Sequence, residues 1–163
     1  MNQVLGQGVG ATLRLALAGI FLWAWFDKVF GWGFATTADK SWLMGNSPTL
    51  GFLKFGTSGP LANIYQALAG NPVIDWLFMM GLLLVGLGLL TGIMMNLTCW
   101  GGSLLMLLIY LAAWPPSNNP IIDDHIIYIL ALLGLNITGA GEWWGLGGWW
   151  SQTAWVRKYR WLK

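Results

Sequence analysis

The chain's only histidine, His125, follows two aspartates, Asp123 and Asp124, and Tyr128 stands three residues further on. Histidine is the side chain that gains and loses a proton near neutrality. Beside a carboxylate and a phenol it can supply the hydrogen bonds and the proton path that oxidising a quinol or reducing a quinone requires. His125 and Asp124 are therefore the candidate catalytic pair. Acids in the first turn of a helix also stabilise the positive end of its dipole with no other role, so both readings stand.

Other chemistries are excluded more firmly. One histidine cannot supply the paired axial ligands of a membrane b-type haem. With a single cysteine, Cys99, and no second histidine, no zinc or iron–sulfur ligand set can be drawn up, and no metal or haem is expected. Neither a phosphate loop nor a nucleophile elbow is present.

The elements that must position these residues belong to a membrane. Of 163 residues 56% are hydrophobic and only 9% charged, with 13 tryptophans, where a soluble domain carries about a quarter charged residues. Four stretches are apolar enough to be read as spans, residues 9–26, 74–95, 97–113 and 124–140, which predicts an all-α integral membrane bundle of four helices. The fourth is short unless Asp123, Asp124 and His125 form its first turn at the headgroup level. A cleavable leader is not expected, because no basic segment precedes Ala16-Leu17-Ala18 and Arg14 interrupts the apolar run. Arg157, Lys158, Arg160 and Lys163 crowd the end of the chain, so the tail at 141–163 is expected to be cytoplasmic, and with four spans the amino terminus also.

That topology brings Asp27, Lys28, Asp75, Asp123, Asp124 and His125 to the outer ends of three spans. Such a ring could bind a polar or anionic solute through Lys28 and protonated His125, with Asp27, Asp75 and Tyr128 lining it. It could equally be an ion-pair network that holds the loop above it. His125, Tyr128, Leu132, Asn136 and Gly139 recur at offsets of three and four, forming one stripe that should face the bundle. For Asn136 an interhelical hydrogen bond is favoured over a ligand contact. At the inner face Arg14 can snorkel to the headgroups, and with Glu142 it forms an expected pair.

Residues 31–73 are too polar to span and too long for a plain connection, yet carry Trp32, Phe34, Trp42, Phe52, Phe55 and Tyr65. They are expected to cap the outer face, with a helix in PLANIYQALAG, which has proline at its start and glycine after its end. Glycines 81, 88 and 92 in the second span suggest close packing against a neighbouring helix. The Trp- and Arg-rich tail is expected to lie along the inner leaflet or to anchor another subunit.

Three stretches carry a family resemblance. LRLALAGIFLWAWFDKVFGWG resembles the first span of the DoxX/DoxD family, with an arginine early and a lysine near the end, Arg14 and Lys28 here. GLLLVGLGLLTGIMM is similar to its glycine-rich second span. WPPSNNPIIDDHIIYILALLGLNITGAGEWWGLGGWW is similar to its closing segment, above all in archaeal and actinobacterial members, and the order holds from about residue 13 to 149. Asp75 stands about where many members carry a glutamate, and Asp124 and His125 match the fourth-span entrance. The chain departs at Trp25, where glycine is common, and at Glu142 and Gly147, where arginine and aspartate are.

The resemblance implies a four-helix protein of a prokaryotic plasma membrane. The family's best-known activity is thiosulfate:quinone oxidoreduction, in which a DoxD-type subunit acts with a smaller DoxA-type one. The first expectation is therefore a DoxD-like subunit of a quinone-linked oxidoreductase, with quinone as substrate, Lys28 and His125 holding the anion, and His125 with Asp124 handling protons. The second is a non-catalytic accessory subunit packed against a larger respiratory or other membrane complex, which the tryptophan load and glycine-lined helix also suit. Solute transport is weaker, since no inverted repeat of broken helices is visible.

Overall fold

The computed structural model describes residues 2–116, 119 and 121–163. The architecture is all-α, and three of its helices are long and apolar enough to cross a membrane. The first, α1, runs from Asn2–Phe30. A capping loop follows, containing one short helix, α2 (Ala62–Ala67), where the proline-to-glycine segment predicts it. Then come α3 (Pro72–Thr91) and α4 (Met95–Ala112). The next helix, α5 (Asp124–Ile137), has 14 residues, and two single turns, α6 (Gly147–Ser151) and α7 (Ala154–Lys158), lie in the tail.

Local sequence sets the ends of these helices. At the start of α3 the Asn71 side chain accepts from the Val73 amide at 2.9 Å and Pro72 occupies the first helical position, where a missing N–H costs nothing. The helix stops at Gly92, which takes the left-handed conformation (φ 75°). The apolar run predicts a span reaching Met95, but Met95 begins α4. Residues 92–94 are the turn between them, and Gly92 is thus a cap and not part of a helix face.

Packing is pairwise: α1 lies against α3, α4 against α5, and α3 against α4 joins the pairs. Leu17, Ala18, Phe21, Met79, Leu82, Val85, Leu89, Cys99, Met106 and Leu132 form the core. The glycine that admits α1 is Gly86, where an added Cβ would stand 2.7 Å from the Leu22 side chain, whereas Gly81 and Gly88 face α4. Outside the core, large apolar side chains point away from the bundle, among them Leu77, Leu84, Trp100, Leu104, Ile127 and Leu130. Water would penalise such a surface, and lipid does not.

The expected fourth span is the element that falls short. At about 1.5 Å per residue, the 14 residues of α5 reach about 21 Å, against a hydrocarbon thickness near 30 Å. Its ends are decided by capping. Asp123 caps the start, and Gly139 in the left-handed region (φ 68°) turns the chain just past the end. Residues 138–140, expected within the span, lie outside the helix.

Candidate functional site

At the end of the bundle that carries the long loop, acids on the long helices serve that loop. Asp27, almost completely buried, accepts from the amides of Phe34 at 3.2 Å and Ala35 at 3.0 Å. Asp75, also buried, accepts from the Ser47 hydroxyl at 2.8 Å, the Thr49 hydroxyl at 2.5 Å and the Thr49 amide at 3.3 Å. Between these two anchors the Lys28 ammonium donates to the Pro48 carbonyl at 3.4 Å and stands over the Phe78 ring. Ser47-Pro48-Thr49 is therefore a strap buckled onto α1 and α3. Further along, the Ser58 amide donates to the Ala112 carbonyl at 3.0 Å, so the same loop also reaches the end of α4.

His125 is held differently. Its Nδ1 lies 2.7 Å from Oδ2 of Asp123, whose other oxygen accepts from the His125 and Ile126 amides at 3.0 and 3.3 Å. The partner of the histidine is thus Asp123 and not Asp124, which is exposed and makes no side-chain hydrogen bond among the described residues. The reason is the cap: the residue before the helix turns its carboxylate onto the first amides, and the same carboxylate meets the imidazole two residues on. Burial pushes the Asp123 carboxyl up, but the His125 side chain and the Ile126 and His125 amides outweigh it and hold the group below the usual carboxylate range. In this geometry an ionised Asp123 accepts from Nδ1, and Nε2 makes no hydrogen bond among the described residues.

Tyr110, which sequence reasoning did not single out, steadies this entrance: its hydroxyl donates to the Ile121 carbonyl at 2.6 Å. Asn119 contributes a turn by accepting from the Ile121 and Ile122 amides at 2.9 and 3.0 Å. Asn118 and Pro120, part of the run that carries the resemblance, are outside the described residues. Of the expected outer ring, Asp27, Lys28 and Asp75 are joined through the loop. His125 and Asp123 form a separate pair, with no hydrogen bond or ion pair to the others among the described residues. Tyr128 is half-buried against the core with no hydrogen bond from its hydroxyl among those residues.

The opposite end, beside the tail, is organised by Arg14. It is completely buried and turns into the protein instead of snorkelling. One guanidinium nitrogen donates to the Leu89 and Leu90 carbonyls at the end of α3, and the other to the Trp143 and Trp144 carbonyls at 2.9 and 3.2 Å. The expected pairing with Glu142 is therefore not made. Glu142 instead meets Lys163 at 3.3 Å, because both terminal guanidinium nitrogens are taken up by carbonyls, two of them at the end of α3. The glycines of GAGEWWGLGG were the available signal: a Cβ at Gly145 would come within 2.5 Å of the Gly141 carbonyl and 3.0 Å of the guanidinium.

Beside this knot a cleft of about 470 Å³ opens, lined by Asn96, Asn136, Glu142, Trp143, Trp150 and Lys163 among others. Within it the Asn136 amide donates to the Asn96 carbonyl oxygen at 3.2 Å, the interhelical bond expected of Asn136. No group of three or more metal-ligating side chains occurs among the described residues. The chain matches no family model, and neither a curated protein nor a solved structure matches it.

Proposed function

We propose that this chain is a four-span, DoxX/DoxD-type accessory subunit of a prokaryotic plasma membrane, with both termini cytoplasmic, that packs against a larger redox complex. The observation that carries this reading is the employment of Asp27, Lys28 and Asp75. All three are bonded to residues 34–49 of the loop, so they serve as anchors for a rigid outer cap and not as an open anion site. The lipid-facing leucines and tryptophans leave ample apolar surface for a neighbouring subunit. As the fourth span, α5 would complete its crossing with residues 138–140 after it and local thinning of the bilayer, leaving Asp123 at the headgroup level.

A second reading has its own support: thiosulfate:quinone oxidoreduction with a DoxA-like partner. Here His125, oriented by Asp123 and presenting Nε2, would take up or release the quinol proton, while Asp124 would be a bystander. Lys28 has no part in this version.

Purification in mild detergent separates the two. Stoichiometric co-migration with a cofactor-bearing complex, and inertness of the chain alone, is the expected result. Reduction of a quinone analogue by thiosulfate with the isolated chain would end the accessory reading. The topology is checked by a cysteine introduced near Lys54, which an impermeant reagent should label from outside intact cells.

A further inference from the structure

The tail carries three cations that no ion pair among the described residues neutralises. Arg157, Lys158 and Arg160 are all exposed, and the ion pairs among the described residues are His125 with Asp123 and Lys163 with Glu142. Interleaved with them stand Trp155, Tyr159 and Trp161, 67%, 40% and 58% exposed. A loose basic tail would be unremarkable, but this one is tied down. Val156 is buried and the Thr153 hydroxyl caps α7. The Trp150 indole donates to the Leu162 carbonyl at 2.6 Å, and the backbone amide and side chain of Asn96 donate to the Lys163 and Trp161 carbonyls at 2.8 and 3.3 Å.

Asn96 is the second residue of α4, so these bonds hold the tail level with the first turn of a helix long and apolar enough to cross a membrane. That is the depth at which hydrocarbon gives way to headgroups. Indoles prefer this zone, and cations held there meet phosphates. Exposed tryptophans would be poorly placed in water and well placed in such an interface. From charge complementarity and depth together, we infer that Arg157, Lys158 and Arg160 form a binding surface for anionic phospholipid headgroups, with Trp155, Tyr159 and Trp161 seated among the glycerol and upper acyl groups. The inference rests on the membrane setting proposed above but on neither redox role.

The test uses the full chain in detergent micelles, titrated with fluorescent phosphatidylglycerol and, separately, phosphatidylcholine. Phosphatidylglycerol should bind more tightly, with affinity falling about fivefold per cation removed at low salt, so that R157Q/K158Q/R160Q loses on the order of a hundredfold. K40Q/K54Q, which removes two exposed cations from the loop, should bind as the unaltered chain does. Equal binding of the two lipids, or an unchanged affinity in the triple variant, overturns the proposal. So does an equal loss in K40Q/K54Q, which would make net charge and not this surface responsible. Should the triple variant fail to fold, the unaltered chain still decides: phosphatidylglycerol affinity that does not fall on raising salt to about 0.5 M rejects the assignment. Retained lipid affinity with loss of a co-purifying acidic subunit would reassign the surface to a protein partner.

Discussion

The two ends of the α1–α3 pair solve opposite problems with opposite charges. At the loop end Asp27 and Asp75 accept from amides and hydroxyls of the loop, while at the tail end Arg14 donates to carbonyls. Helix α3 lies between them with Asp75 in its first turn and the guanidinium on its last carbonyls, each matching the end of the helix dipole it meets. On α3 the sign of each buried ion follows the direction of the helix, whereas Asp27, in the last turn of α1, is placed by the loop amides it accepts from.

This contrast breaks first at Arg14. Arg14→Met should leave four carbonyls without their donor and destabilise the chain by at least about 3 kcal/mol, seen as loss of the monodisperse species in detergent size-exclusion chromatography. Arg14→Lys should recover only part of this, since one ammonium cannot span both pairs of carbonyls. If Arg14→Met is as stable as the unaltered chain, the inner knot is not a stability element.

Next comes the buckle on the loop. Asp75→Asn should cost about 1–3 kcal/mol by weakening charge-assisted bonds from Ser47 and Thr49, and should expose residues 31–73 to proteolysis while leaving the tail protected. Equal cleavage in loop and tail would deny that the two ends are independent.

A smaller effect is expected at Asp123. Asp123→Ala removes the α5 cap and should cost about 1 kcal/mol. The pH dependence follows from the lowered carboxyl. Its contribution is present above the unfolded value, near about pH 4, and is lost as pH falls through the lower folded value. Denaturation midpoints of Asp123→Asn should therefore fall less steeply with acid than those of the unaltered chain. Smallest of all should be Glu142→Gln, because Glu142 and Lys163 are both well exposed and their pair is screened by solvent. A stability change within about 1 kcal/mol is expected by thermal denaturation.

Much of the framework was legible. Apolar runs marked the three long helices, and the proline and glycine of residues 60–70 marked α2, because span length and turn chemistry are written locally. The site was less legible. Asp124 was read as the partner of His125 and Asp123 took that place, since a cap position depends on where the helix begins to within one residue. Arg14 and Glu142 were joined by depth alone, and depth does not say which carbonyls are left bare by a neighbouring helix end.

Composition and periodicity by themselves determined that this is a helical chain suited to lipid, with a basic aromatic tail and one histidine at the head of the apolar helix that follows the three long ones. Those properties depend on residue type and near neighbours. Tertiary structure alone decided the employment of the charges: Lys28 and Asp75 in holding a strap from the loop, Arg14 in closing α3 against the tail, and Lys163 in meeting Glu142. The physical reason is that a buried polar group takes whichever partner the packing leaves unsatisfied, and that partner can lie more than a hundred residues away, as Trp143 does from Arg14.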